Sequence, residues 1–170
     1  MPLRTVVVLS VMVLSGCASS LGQYERTETV HVYHLNGSPC TISRSVKGHS
    51  FWIPFQDVTR TSFNYCVITV ICGGEGKPIS TMNLMRHPNV AKDAPPSFRG
   101  ATAQHSFWTG DGGYLVVESH TGNIKYIPSE REALKVGEWR LIDPERVILT
   151  NLYGEFELTA ETVHRVADPG

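Results

Sequence analysis

From Thr27 onward the chain is built of short runs in which apolar and polar residues alternate, each closed by turn-forming residues. Alternation with a period of two is the signature of a half-buried strand. Thr27 to Leu35 is a first such strand, and Asn36-Gly37 after it is the strongest short hairpin signal. Cys40 to Lys47 is its return strand. Phe63 to Cys72 is apolar on both faces, with Phe63, Tyr65, Val67 and Ile71 on one and Cys66, Ile68 and Val70 on the other. That pattern predicts a central strand, ended by Gly73-Gly74. Ile79 to Met85 is a further strand. Tyr114 to Ser119 and Asn123 to Ile127 form a hairpin around Thr121-Gly122. Trp139 to Ile142 and Arg146 to Thr150 form another around Asp143-Pro144-Glu145, where proline suits the second position of a type I turn. Glu155 to Leu158 closes the series.

Two stretches break this period. Glu130 to Val136 reads as one short helix, with Ser129 and Glu132 as a capping box and Gly137 as its stop. Arg86 to Gln104 holds Pro88, Pro95, Pro96 and Gly100 without periodicity and predicts a long irregular loop, either a crossover or a binding lid. A four-residue word also recurs, His49-Ser50-Phe51-Trp52 and His105-Ser106-Phe107-Trp108, each copy followed by an apolar strand that begins with tyrosine. It suggests two related β halves. The expected fold is therefore mainly β: a single antiparallel β-sandwich or a small meander β-barrel over residues 27–168.

Composition changes this picture little. With 170 residues, 41% of them hydrophobic and 18% charged, the chain suits one globular core rather than a disordered polymer. A formal charge of −1 gives no electrostatic case for nucleic acid.

The first residues do change it. Arg4 precedes an uncharged run, Thr5 to Leu14, that would span about 15 Å as a helix, half of a bilayer core. That is the length of a signal-peptide core rather than of a transmembrane helix. It ends in Leu14-Ser15-Gly16-Cys17, which resembles the lipobox of bacterial lipoproteins. The resemblance implies that residues 1–16 are removed and that Cys17 becomes the acylated first residue, a practically permanent anchor. Ala18, Ser19 and Ser20 follow instead of an aspartate, which in Gram-negative lipoproteins implies the outer membrane. Residues 17–26 are expected to be a short polar tether, holding the fold close to the membrane without a long stalk.

Three cysteines then remain in an oxidising compartment. Cys66 and Cys72 are too far apart along an extended strand to pair with each other. If the strands around them pair antiparallel, Cys40 falls opposite Cys72 and Val46 near Cys66. Cys40–Cys72 is the expected bridge and Cys66 a buried, inert thiol, with a nucleophilic Cys66 or Cys72 beside a histidine as the reactive alternative.

Other chemistry is sparse. The seven histidines form no HExxH or paired-cysteine metal motif. His31 and His34 fall on opposite faces of a strand. His49 and His105 would converge on a zinc ion only if the two halves are truly related, and a site using Cys66 with them is the one enzymatic possibility. Thr109 to Gly113 lacks the lysine of a phosphate loop. No catalytic residue, metal or cofactor is assigned. Phe51-Trp52-Ile53-Pro54-Phe55 is densely apolar, and Phe51, Trp52 and Phe55 are either core or a patch for a partner. The tail, Gly137-x-Trp139-x-Leu141, Val147-x-Leu149 and Gly154-x-Phe156-x-Leu158, resembles the closing hairpins of small lipocalin-like barrels, where a tryptophan plugs one end. That resemblance implies a barrel with a ligand cavity.

The resulting expectation is a non-enzymatic, membrane-anchored lipoprotein that binds or helps assemble another envelope protein. The alternatives are a lipocalin-like barrel for an apolar ligand and an immunity or exclusion lipoprotein.

Overall fold

The computed structural model describes residues 19–53, 56–73 and 76–170, with side chains from Gly22 onward. The signal segment, Cys17, Pro54, Phe55 and Gly74 lie outside the described residues. The fold is twelve strands in three antiparallel four-stranded sheets, each a meander in chain order. The first sheet holds β1 (Ser19–Leu35), β2 (Ser38–Ile53), β3 (Val58–Cys72) and β4 (Pro78–Asn83). The second holds β5 (Phe98–Ala101), β6 (His105–Thr109), β7 (Gly113–Glu118) and β8 (Ile124–Pro128). The third holds β9 (Glu138–Asp143), β10 (Arg146–Asn151), β11 (Gly154–Leu158) and β12 (Val163–Ala167).

Alternation along the middle sheet fixes how the three are layered. Trp108, Leu115 and Val117 pack with Ile42, Val46, Cys66, Ile68 and Val70 of the first sheet. Their neighbours Phe107, Tyr114 and Val116 point the other way and pack with Val147, Leu149, Phe156 and Leu158 of the third. One sheet thus serves two cores, and every residue of β7 from Gly113 to Val117 is buried. The fold is mainly β, as expected, but the single sandwich becomes a stack of three sheets. Among the described residues no sheet closes on itself, so the barrel alternative is corrected. The tail hairpins 138–158 close the third layer instead, and Trp139 packs at its edge against His31 and Phe98.

The expected hairpins are present, with Asn36-Gly37 turning between β1 and β2 and both residues at positive φ. Cys40 lies directly opposite Cys72, and Val46 opposite Cys66. Cys40 and Cys72 form a disulfide with Cα atoms 4.1 Å apart. Several expectations differ: the series runs past Glu155–Leu158 into β12, and the strand expected over Ile79 to Met85 ends at Asn83 in a 3-10 turn, Leu84–Arg86. The helix of residues 130–136 shrinks to a single 3-10 turn, Arg131–Leu134. Its N-cap is Glu130, without a side-chain cap, because the Ser129 amide donates to Gly112 O at the end of the middle sheet. The irregular stretch of residues 86–104 contains β5, which pairs with β6 through a bulge between Phe98 and Gly100. What remains of that loop is pinned: Arg44 Nη1 donates to Pro96 O at 2.7 Å, and Phe63 N to Lys92 O at 3.1 Å. Finally, β1 starts at Ser19, so most of the expected tether is itself strand, paired residue by residue with β2.

Candidate functional site

That early start creates the most distinctive feature of the molecule. The core shared by the first and middle sheets ends, on the first sheet, near the pair Val46 and Cys66, with Phe63 packed at its rim. Strands β1, β2 and β3 continue past that pair to Ser19, Ile53 and Val58. Seven more residues of β2, at ~3.3 Å each, carry the sheet about 23 Å beyond that pair. This projecting part is a three-stranded arm, since β4 pairs only with residues 67–71 of β3.

An arm without a covering layer must be held by cross-strand contacts. The edge of the Tyr24 ring meets the face of Phe63 at 5.7 Å, across the position of Gly48 on the strand between them. A bulge on β3 puts Ser62 O only 2.4 Å from where a Cβ on residue 48 would sit, so this position requires glycine. Lys47 pairs with Glu25 at 2.7 Å and lies over the Tyr65 ring. That partner raises the Lys47 pKa through its hydrogen bond and charge. Ser50 and Thr61 share a hydrogen bond of 2.9 Å, as do Thr27 and Ser45 at 2.6 Å. At the root of the arm, Arg44 is clamped between Glu28 and Pro96 O.

The tip is apolar. Phe51, Trp52 and Ile53 are half-buried, although no second sheet covers them. Trp52 Nε1 donates to Asp57 Oδ1 at 3.3 Å, and Gln56 N to Ile53 O, closing a turn in which Asp57 takes a left-handed φ of 49°. In sequence, Pro54 and Phe55 join these two strands. Ser19 is opposite Trp52 and Ser20 opposite Phe51. In sequence, Cys17 is two residues before Ser19, a backbone span of at most about 7 Å.

Elsewhere the histidines stay apart. His49 pairs with Ser62 in the arm, and His105 pairs with Glu118 in the middle sheet. Among the described residues no three His, Cys, Asp or Glu side chains gather in a way that could hold a metal ion. Cys66 is fully buried and burial pushes its thiol up to about 12, which keeps it protonated. The two His-Ser-Phe-Trp words each lie in the second strand of a four-stranded meander, the first near the end of β2 and the second making up most of β6. Their environments differ: Phe107 and Trp108 are buried to 0%, while Phe51 and Trp52 stay half-exposed.

Sequence reasoning passed over two features. The first is an aromatic seam where all three sheets meet, with His31 of β1 at 5.1 Å from Trp139 of β9 and 5.9 Å from Phe98 of β5. Burial lowers the His31 pKa there. The second lies on the third sheet, where Leu152 is 89% and Val136 77% exposed. They flank a recess of 470 Å³ that also takes in Gly137, Glu138, Thr150 and Asn151. Both aliphatic residues sit in connections between strands, where periodicity carries no signal; an isolated Leu-Tyr in a turn was the only available cue. No family model matches the chain, and no curated protein or solved structure matches it either.

Proposed function

We propose that this chain is a lipid-anchored, non-enzymatic lipoprotein of the bacterial cell envelope, facing the periplasm from the outer membrane, that binds or helps assemble another envelope protein. The lipobox-like Leu14-Ser15-Gly16-Cys17 supports the anchor and the location. The observation that carries the binding role is the pair Leu152 and Val136, large aliphatic side chains left in water beside a recess. Scattered apolar residues are ordinary on a surface, but two such exposed ones framing a concavity match the anchor residues of a protein contact. The arm supports the same role, since it sets this body off from the anchored end.

The test places a photo-crosslinking amino acid at position 152 in intact cells. A discrete crosslinked product is expected, lost when Leu152→Lys and Val136→Lys are introduced together in a protein of unchanged thermal stability. Absence of any product at position 152, or the same products from surface positions remote from the recess, refutes the reading.

A further inference from the structure

We infer that the tip of the arm, with Phe51 and Trp52 at its centre, is a second membrane contact that sits in the lipid interface beside the acyl chains of Cys17. This inference rests on the lipoprotein reading for the anchor. Everything else in it comes from strand register. Ser19 and Ser20 are paired with Trp52 and Phe51, so the chain leaves the arm at the tip and not at its root. Residue 17 is at most about 7 Å further along the backbone. Acyl chains attached there put the bilayer surface within one side-chain length of the tip. A polar tip at that position would press its charges against lipid. This one instead leaves Phe51, Trp52 and Ile53 only partly covered.

The chemistry fits the interfacial zone rather than the hydrocarbon centre. Tryptophan prefers the headgroup level because its ring is apolar while its N–H keeps a polar partner. Trp52 has that partner in Asp57, within the same turn. Arg60 lies directly opposite Phe51 on β3, and the two share a recess with Lys92 and Asp93, so two cations and one carboxylate stand at the level proposed for the lipid phosphates. With the N-terminus and the tip both fixed to the surface, the arm stands on two attachments, and the body is held off the membrane by its length.

The experiment uses the detergent-purified mature protein in phosphatidylethanolamine–phosphatidylglycerol vesicles with plain or brominated acyl chains. Subtracting the emission of Trp52→Phe from that of the wild type isolates Trp52 from Trp108 and Trp139. Bromolipid is expected to remove most of this Trp52 emission and to leave that of buried Trp108 unchanged. Moving the reporter by Phe51→Trp in the Trp52→Phe background should restore the quenching. Equal emission in both vesicle types, from protein whose intact mass shows the acyl chains, overturns the inference and leaves the lipoprotein reading standing. So does protection of the tip by a second copy or a partner protein. A mass without acyl chains instead overturns the lipoprotein reading, and the inference with it.

Discussion

Gly48 offers a sharp test of how the arm is built. A Cβ there would stand 2.4 Å from Ser62 O, 3.1 Å from Phe63 Cδ1 and 3.2 Å from Phe63 Cα. Two of those three atoms are backbone and cannot swing away. Gly48→Ala must therefore open the β2–β3 pairing around the bulge, or erase the bulge. Erasing it would shift the register by one and turn every β3 side chain of the arm to the other face. Overpacking of this kind costs ~1–3 kcal/mol. Losing the edge-to-face contact of Tyr24 with Phe63 adds ~0.5–1.5 kcal/mol. A total of about 2–4 kcal/mol, at tenfold per 1.4 kcal/mol, speeds amide exchange in the arm by roughly thirty- to several-hundred-fold. The cores lie beyond Val46 and Cys66, so exchange in β6, β7 and β10 should be unchanged. Hydrogen exchange read by mass spectrometry on peptides covering residues 47–53 and 58–64 decides the matter. Wild-type protection of those peptides in the Gly48→Ala protein would refute the account of the arm as a self-supporting sheet with a glycine-only crossing. Equal loss of protection in β7 would refute the claim that arm and body open separately.

Three further outcomes are expected. The Cys40–Cys72 bridge closes a loop with a sequence separation of 32, so reduction or Cys40→Ser should lower the unfolding free energy by ~3–4 kcal/mol in urea titrations. Burial lowers the His31 pKa below its usual 6.5, so the unfolded chain takes up that proton at a higher pH than the folded one. The stabilising contribution is complete above about pH 6.5 and fades as pH falls through that value towards the folded pKa; His31→Phe should lose less thermal stability than wild type between about pH 8 and about pH 5. Finally, Cys66, with a pKa pushed up to about 12 and no exposed surface, should resist an aromatic disulfide reagent in the native protein and react at the rate of unfolding, as followed by thiolate release.

Much of the architecture was legible because it is written in local signals. Asn36-Gly37, Thr121-Gly122 and Asp143-Pro144-Glu145 each mark a turn whose chemistry dictates a hairpin, and Cys40 near the start of one strand and Cys72 at the end of the next fall opposite each other once those strands pair antiparallel. What escaped depended on neighbours distant in sequence. Phe98 to Ala101 has two prolines before it and a glycine within it, yet it becomes strand because β6 offers it an edge. The helix of residues 130–136 was too short to hold without packing along its length, and Ser129 was recruited by Gly112 instead. Ser19 to Arg26 carries no apolar alternation, so its strand was invisible until β2 was placed beside it. The third layer escaped for a related reason. A period of two says that a face is buried but not by what, and the continuous run Tyr114-Leu115-Val116-Val117 can show its two-sided burial only once both neighbouring sheets are known. For the site, the apolar tip was visible as Phe51 and Trp52, whereas the exposure of Leu152 and Val136 was not.

The unbroken course of β1 from the first residue of the arm to the seam at His31 has a mechanical consequence. Hydrogen bonds between antiparallel strands run across the strand axis. A pull on the N-terminal end of β1, resisted by the body, acts along the strand and strains its whole ladder with β2 together instead of unzipping it rung by rung. The Cys40–Cys72 link lies at the opposite end of that ladder and rivets β2 to β3 where the load arrives. The molecule is thus constructed as a tension member, able to bear a pull along β1 without first unravelling.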